Sequence, residues 1–90
     1  MATAEDVAQW MLKEVMDDGP LYQITATWQI GDKFSKTFVY INDNGNPAMS
    51  KDVLKAYNEI SADIVVWSKG GRYWRKREKS DDPGVRQVSY

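Results

Sequence analysis

The sequence predicts an α+β fold with a small antiparallel sheet, because it combines helical and strand signals along one chain. Two segments have a capping residue followed by an apolar stripe at helical spacing, one near the N-terminus and one after Ser50. A β-branched and aromatic run, "TFVYI" at residues 37–41, precedes turn residues, and "IVVWSKGGRYWRKRE" has the pattern of a β-hairpin. A chain of 90 residues provides one domain of this kind.

The first helix is predicted to begin after Thr3 and to end at Gly19. Thr3 is a favourable N-cap, and Asp6, three residues later, is a weaker version of the acid of a capping box. Gly19 and Pro20 end the helix, because glycine is favoured at the C-terminal end and proline cannot continue a helix. The apolar stripe of this helix has a spacing of four residues: Val7, Met11 and Val15.

The stretch from Tyr22 to Phe34 has two interpretations. Taken two residues at a time, apolar and polar residues alternate from Ile24 to Ile30, which is the period of a half-buried strand. Threonine and tryptophan favour that strand, and Gly31 would cost a helix about 1 kcal/mol relative to alanine. Taken four residues at a time, the stretch has the stripe of a helix: Tyr22, Ala26, Ile30 and Phe34. The residues leave both interpretations open, and either one gives an α+β fold.

The middle of the chain predicts a strand, a turn and a second helix. Residues 37–41 form the strand, and "NDNGN" after them predicts a tight turn, because asparagine and glycine tolerate the left-handed conformation. Ser50 is predicted to cap the helix, with Met49 and Leu54 at the spacing of a hydrophobic staple. The helix ends near Ser61. Its buried stripe is predicted to be Val53, Leu54, Tyr57 and Ile60.

The hairpin is predicted to turn at Gly70 and Gly71, its two central residues. That register gives three cross-strand pairs: Lys69 with Arg72, Ser68 with Tyr73, and Trp67 with Trp74. The tryptophan pair marks the core face. Residues 80–90 are polar and contain turn residues, so we expect a single domain over residues 1–79 and a mobile tail over residues 80–90.

Several segments, in order along the chain, resemble a family of small uncharacterised bacterial domains, some of them found on mobile integron-type gene cassettes. These segments are "WML", "GPLYQ", "FVYINDNGN", "VLKAYNEI", "VVW" and "YWRKRE", and the resemblance covers roughly residues 9–80. In that family the segment matching Tyr22 to Phe34 has the pattern of a helix, so the resemblance implies a helix here. The order becomes helix-helix-strand-helix-strand-strand, which resembles a winged-helix domain with the hairpin as its wing. The family has no assigned activity.

The composition excludes several classes of protein. The chain has no Cys and no His, which argues against a disulfide-stapled fold and against a zinc site. Four Trp, five Tyr and two Phe supply a rich core for a domain of this size. The N-terminus has no secretory signal pattern, and no run approaches the ~18 apolar residues of a membrane span. The sequence therefore predicts a cytoplasmic protein with no cofactor and no membrane partner.

Catalytic chemistry has few residues to work with. The absence of His and Cys removes the commonest bases and nucleophiles, and the two hairpin glycines do not lie between a strand and a helix, as a phosphate loop requires. Asp17 and Asp18 are neighbours, which do not face each other on a helix, and Asp81 and Asp82 lie in the tail. Solvated surface is the simpler interpretation of both pairs. We therefore expect no catalytic residue, no metal site and no enzyme activity.

The basic hairpin is the feature that implies a partner. Residues 69–79 hold six basic residues and one acidic residue, a balance of +5, whereas residues 1–18 hold five acidic residues and one basic residue, a balance of −4. The outer face of the second strand alternates an aromatic ring with solvated guanidinium groups, Arg75 and Arg77, which suits phosphate contacts and base stacking. We predict a nucleic-acid-binding surface formed by Lys69, Arg72, Tyr73, Arg75, Lys76 and Arg77.

Other interpretations of this region stay open. Positive charge also protects an edge strand from aggregation. Ile64 and Val66 are predicted to face away from the core, so this strand is apolar on both faces and needs cover from the tail or from a second copy. The exposed side of the helix after Ser50 mixes Lys51 and Lys55 with acidic residues, which weakens the case for sequence-specific DNA binding.

The sequence thus predicts a small non-catalytic binding module that contacts nucleic acid weakly through the hairpin. The alternative is a protein–protein interaction module, either a homodimer or a binder of a host protein, with no nucleic-acid role. Salt dependence separates the two, because phosphate contacts weaken steeply with salt and an apolar interface does not.

Overall fold

The computed structural model describes residues 2–62, 64–78 and 87–88, and these residues form an α+β fold with three α-helices and two small sheets. The helices are α1 (Ala4–Asp18), α2 (Gln23–Lys33) and α3 (Lys51–Ser61). The strands are β1 (Leu21–Tyr22), β2 (Val39–Ile41), β3 (Pro47–Met49), β4 (Val65–Ser68), β5 (Tyr73–Lys76) and β6 (Gln87–Val88). The predicted fold class is confirmed.

The larger sheet has four strands in the order β1-β5-β4-β6, and β2 and β3 form a separate antiparallel pair. In the larger sheet β5 is antiparallel to both β1 and β4, whereas β6 is parallel to β4. The core lies between α1, which packs along α3, and the side chains of β5 that face these helices. The loop of the β4–β5 hairpin lies outside this core, with Lys69 and Arg72 exposed.

The first helix begins and ends where its residues predict. The backbone N–H of Asp6 donates to Thr3 Oγ1 (3.2 Å), and the backbone N–H of Thr3 donates to Asp6 Oδ2 (2.9 Å), which completes the capping box. Gly19 ends the helix with a φ of 89°, a left-handed value that favours glycine. The predicted stripe is fully buried: Val7, Met11 and Val15.

Within the stretch from Tyr22 to Phe34, Gln23–Lys33 forms a helix, so the helical interpretation is correct. Ala26 and Ile30 of α2 are fully buried and belong to the core cluster. Tyr22, however, is the residue that precedes the helix, and 49% of its side chain is exposed. Burial of one face of α2 outweighs the strand propensity of its threonines, because packing supplies more free energy than intrinsic preference does.

The predicted strand at residues 37–41 is shorter than expected. Lys36–Phe38 forms a turn of 3-10 helix, and β2 begins only after it. The Ser35 hydroxyl oxygen accepts hydrogen bonds from the backbone N–H of Thr37 (3.2 Å) and from the Thr37 hydroxyl (3.0 Å). These local bonds give the backbone an alternative to the strand.

The "NDNGN" segment forms the predicted turn and connects β2 to a strand that the sequence did not predict. Asn42 Oδ1 accepts from the backbone N–H groups of Asn44 (3.0 Å) and Asn46 (3.0 Å), and Gly45 has a φ of 79°. The strand that follows, β3, ends at Met49, a residue that the staple pattern assigned to the start of the next helix.

The third helix has the predicted start and end, and its predicted buried face is confirmed in part. Ser50 is its N-cap residue, although its side chain makes no capping hydrogen bond. Of the four residues predicted to be buried, Val53 and Tyr57 are fully buried, whereas Leu54 is half-buried and Ile60 is 37% exposed. Ala56 and Ser61 complete the buried face.

The hairpin register is confirmed for two of the three predicted pairs, Trp67 with Trp74 and Ser68 with Tyr73. The third pair is wrong, because residues 69–72 form a loop of four residues between the strands. The left-handed residue of this loop is Arg72, with a φ of 55°, and its backbone N–H donates to the Ser68 carbonyl (2.8 Å).

The predicted mobile tail, residues 80–90, lies outside the described residues except for Gln87–Val88. These two residues pair with Trp67–Ser68 along the outer edge of β4. Within the described part of the chain, no helix combines the length and the apolar character needed to cross a membrane.

Candidate functional site

The six residues predicted to bind nucleic acid are spread along the whole β4–β5 hairpin. Lys69 and Arg72 are exposed in its loop, and Lys76 is exposed at the far end of β5. The other three are half-buried: Tyr73, Arg75 and Arg77. The structure therefore brings Lys69, Arg72 and Tyr73 together at one end of the hairpin and separates them from the remaining three.

We call this end the hairpin tip and define it as Lys69, Arg72, Tyr73 and Tyr22. Tyr22 joins it because Tyr22 and Tyr73 are directly paired between β1 and β5, with ring centroids 5.0 Å apart and ring planes inclined by 50°. The Arg72 carbonyl accepts a hydrogen bond from the backbone N–H of Gln23 (2.9 Å), which ties the loop to the start of α2. The tip combines two aromatic rings with two exposed cations.

The Tyr73 ring packs against Gly71, where no side chain occupies the space. A β-carbon at this position would collide with Cε2 and Cδ2 of Tyr73. The backbone N–H of Gly71 also donates to Ser68 Oγ (3.2 Å), and Ser68 is fully buried. The glycine is therefore needed for a close approach between the loop backbone and the ring.

Arg77 lies at the other end of the hairpin and contacts the C-terminal end of α3. Its guanidinium Nη2 donates to the Ala62 carbonyl (3.4 Å), and its backbone N–H donates to the Ile64 carbonyl (2.8 Å). Arg75 Nη1 donates to the Lys76 carbonyl (3.0 Å). The expectation of a solvated guanidinium group is wrong for Arg77, whose bond to Ala62 is partly buried, whereas the Arg75 hydrogen bond is exposed. A cation near the end of a helix complements its dipole, so Arg77 stabilises the fold.

The core face of the hairpin carries a row of aromatic rings. Trp74 is 6% exposed and packs against Trp67 (centroids 4.6 Å apart) and, edge to face, against Tyr57 (5.4 Å). Trp67 is only half-buried. On the opposite face Val66 is fully buried, so the predicted need for cover on both faces is met there, whereas Ile64 is 40% exposed.

A second surface, which the sequence did not indicate, is apolar. Trp28 is 73% exposed, and three further apolar side chains are exposed on α2 and β2: Ile24 (57%), Tyr40 (47%) and Ile41 (65%). In a helix, Trp28 lies off the stripe that contains Ala26 and Ile30. The helical spacing therefore predicts that Trp28 is exposed, whereas the strand period places Trp28 on the same face as Ala26 and Ile30.

Trp28 borders an open groove of about 540 Å³ between α2 and the β2–β3 hairpin. The helix wall includes Thr27, Gly31 and Asp32, and the strand wall includes Val39, Tyr40, Ile41 and Pro47. A single large exposed aromatic residue is ordinary, but a cluster beside a groove is typical of surfaces that bind another protein.

The C-terminal half of α1 is acidic. A hydrogen bond with the Asp18 carboxyl raises the pKa of Glu14 above its ordinary value, and desolvation and the negative charge of Asp18 act in the same direction. Among the described residues, no three or more acidic, His or Cys side chains are placed to hold a metal ion. The negative charge of this surface is unfavourable for contact with phosphate groups.

Comparison with known proteins identifies a family to which no activity is assigned. A family model described as "Family of unknown function (DUF6953)" matches residues 3–76. Neither the curated proteins nor the solved structures contain a significant match to the chain. The expectation of an uncharacterised family is confirmed.

Proposed function

This chain belongs to that family of unknown function, and we propose that it is a small, non-catalytic binding module that contacts nucleic acid weakly through the hairpin tip. The observation that carries the proposal is the combination of exposed Lys69 and Arg72 with the paired rings of Tyr22 and Tyr73. Cations beside aromatic rings suit a backbone phosphate and a neighbouring base.

The contact is weak and has little sequence preference. Two exposed cations at the tip neutralise few phosphates, and non-specific binding of that kind has a Kd of about 10⁻⁴ to 10⁻⁶ M at physiological salt. On α3, the exposed residues Lys51 and Lys55 are balanced by Asp52 and Glu59. Sequence-reading helices usually present Arg, Asn or Gln to the base edges, which this surface lacks apart from Asn58.

A winged-helix architecture belongs to the same proposal. The order of three helices followed by a hairpin, with β5 also paired to β1, supports it. The β2–β3 hairpin is then an insertion between the second and third helices. A bacterial origin and an association with mobile gene cassettes are parts of the proposal that the resemblance of the sequence supports. A cytoplasmic location is supported by the absence of Cys from the chain.

The double variant Lys69→Ala/Arg72→Ala tests the proposal. We expect it to lower the affinity for every nucleic-acid sequence alike and to flatten the dependence of log K on log salt by about one unit for each lost phosphate contact. Stability should be nearly unchanged, because both side chains are exposed. Fluorescence anisotropy titrations at low and intermediate salt would measure both quantities.

The matched control is Lys13→Ala/Lys33→Ala, which removes the same charge from exposed positions on α1 and α2. It should leave the salt dependence unchanged. If the parent protein binds neither single-stranded nor double-stranded probes at low salt, or if the control weakens binding as much as the tip variant, the proposal is wrong.

The second candidate function is self-association through the apolar groove, and the 73% exposure of Trp28 favours it. The four exposed apolar side chains of α2 and β2 present on the order of 500 Å² per copy. A standard interface buries about 800 Å² per partner. Two copies that met through this surface would therefore form a weak, reversible dimer that is insensitive to salt.

Sedimentation velocity over a range of protein concentrations would detect such a dimer. We expect Trp28→Lys to abolish concentration-dependent association, because the lysine charge would be desolvated in an apolar contact. Met16→Lys is the control, since Met16 is an exposed apolar residue of α1 (41%) outside the groove. A parent protein that stays monomeric at high concentration would exclude self-association as a function of this surface.

A further inference from the structure

We propose that the hairpin tip takes single-stranded rather than double-stranded nucleic acid, with one unpaired base stacked on the ring of Tyr22. This inference rests on the proposed function and names the class of nucleic acid that the same surface binds. It follows from three features of the tip: an exposed ring with a rigid support, a cleft beside that ring, and a cation on the wall of the cleft.

The Tyr22 ring is exposed but held in place. Its side chain is 49% exposed, whereas Tyr73 behind it is half-buried between Tyr22 and the Gly71 backbone. The Tyr22 backbone is fixed twice, as the residue that precedes α2 and as the partner of Tyr73 in the β1–β5 ladder. A rigid ring loses little conformational entropy when a base stacks on it, which favours binding.

A cleft of about 240 Å³ opens beside this ring. Besides Tyr22, its walls are formed by Gln23, Ile24, Asn46, Pro47, Gly71 and Arg72. Gln23, at the start of α2, is bonded to both of the other elements that line the cleft. Its side-chain Nε2 donates to the Pro47 carbonyl of β3 (3.1 Å), and its backbone N–H donates to the Arg72 carbonyl of the hairpin loop (2.9 Å). The cleft is therefore part of the folded framework, formed before any ligand binds.

Arg72 supplies the charge next to the ring and the cleft. It is exposed, and the loop holds its backbone in the left-handed region with a φ of 55°. A base on Tyr22 would place the adjoining phosphate of the same strand within reach of the Arg72 guanidinium or the neighbouring Lys69. This pairing of a stacking ring with cations along the backbone is the common design of single-strand binding surfaces.

A duplex cannot use the same features. Its bases are already stacked on their neighbours, so no base face is available to Tyr22 unless a pair is opened at a cost of a few kilocalories per mole. Recognition of a duplex would depend on the grooves, for which the tip offers no bidentate reader besides Arg72. The predicted preference for single strands comes from stacking, which salt does not screen, so it should persist as the salt concentration rises.

The test compares a single-stranded oligothymidylate with a duplex of similar length, each titrated against the full chain at two salt concentrations. Tyr22→Leu should weaken binding of the single strand by roughly 5- to 150-fold, the fold-change that corresponds to the loss of one base–aromatic stacking interaction. The affinity of the Tyr22→Leu variant for the duplex, and its slope of log K against log salt, should equal those of the parent. Tyr22→Phe, which keeps the ring, should retain the single-strand affinity and serves if the leucine variant does not fold.

The matched control is Tyr40→Leu, because Tyr40 is exposed to nearly the same extent (47%) but lies on β2. It should leave both affinities unchanged. Equal affinity of the parent for the two probes, or equal effects of Tyr22→Leu and Tyr40→Leu, would overturn the single-strand proposal while leaving nucleic-acid binding intact. Tyr22→Phe binding as poorly as Tyr22→Leu would also overturn it. No binding of either probe would overturn this inference together with the proposed function.

Discussion

Replacing Trp74 with alanine should lower the free energy of unfolding by about 3 to 5 kcal/mol, the usual cost of removing a large buried aromatic side chain. Trp74 is 6% exposed and its ring contacts the rings of Tyr57 and Trp67. The substitution therefore loses the transfer free energy of the indole group and leaves a cavity between α3 and the sheet. A domain of this size has only about 5 to 15 kcal/mol in total, so the variant should be close to unfolding.

Trp28→Ala is the matched control, because it removes the same side chain from a position that is 73% exposed. Urea denaturation at low protein concentration should place it within about 0.5 kcal/mol of the parent. Trp67→Ala should fall between the two, since Trp67 is half-buried. A Trp74→Ala variant as stable as Trp28→Ala would show that the β5 face does not form the core.

Replacing Tyr57 with phenylalanine should raise the free energy of unfolding by about 1 to 3 kcal/mol, the cost of leaving a buried polar group unsatisfied. Tyr57 is fully buried, and its hydroxyl has no hydrogen-bond partner among the described residues. Phenylalanine keeps the ring contact with Trp74 and removes only the unsatisfied oxygen. Tyr57→Leu is the control for the ring itself and should be destabilising.

The pH dependence gives an independent check on Tyr57. Burial raises the pKa of its phenol above the ordinary value of about 10. The unfolded chain releases this proton near its ordinary pKa, whereas the folded protein retains it to higher pH. The free energy of unfolding of the parent therefore does not depend on this group below pH ~10 and falls as the pH rises further. The gap between Tyr57→Phe and the parent should widen in that range. A constant gap would show that the phenol is not buried, and a destabilised phenylalanine variant would show that the hydroxyl has a hydrogen-bond partner.

The elements that sequence patterns predicted correctly are those whose partners are close along the chain. The capping box joins Thr3 to Asp6 within one helical turn, and the Asn42 side chain closes its own turn. The strands of the β4–β5 hairpin pair across a short loop, so their period of two residues determines which side chains face each other. The conformation of the loop over residues 69–72 does not follow from its two glycines, since Arg72 rather than a glycine has the left-handed conformation.

Other elements depended on contacts that no local pattern contains. The residues from Ile24 to Ile30 satisfy both the strand and the helix period, and the helix forms because it buries Ala26 and Ile30 against the rest of the core. With Ala26 and Ile30 facing the core, α2 is oriented so that Trp28 is exposed. Strand β3 was missed for a similar reason, since its pairing with β2 gives a structure to residues with little strand propensity of their own.

The chemical groups of the candidate site can be identified from the residues alone: a basic hairpin, aromatic residues beside it, and an acidic N-terminal helix. Which of these groups come into contact depends on how the elements pack. This packing places the Arg77 guanidinium on the Ala62 carbonyl and the Tyr22 ring beside Tyr73 at the tip. The physical reason is that charge and ring type belong to single residues, whereas burial and hydrogen-bond partners arise only when elements distant in the chain pack together.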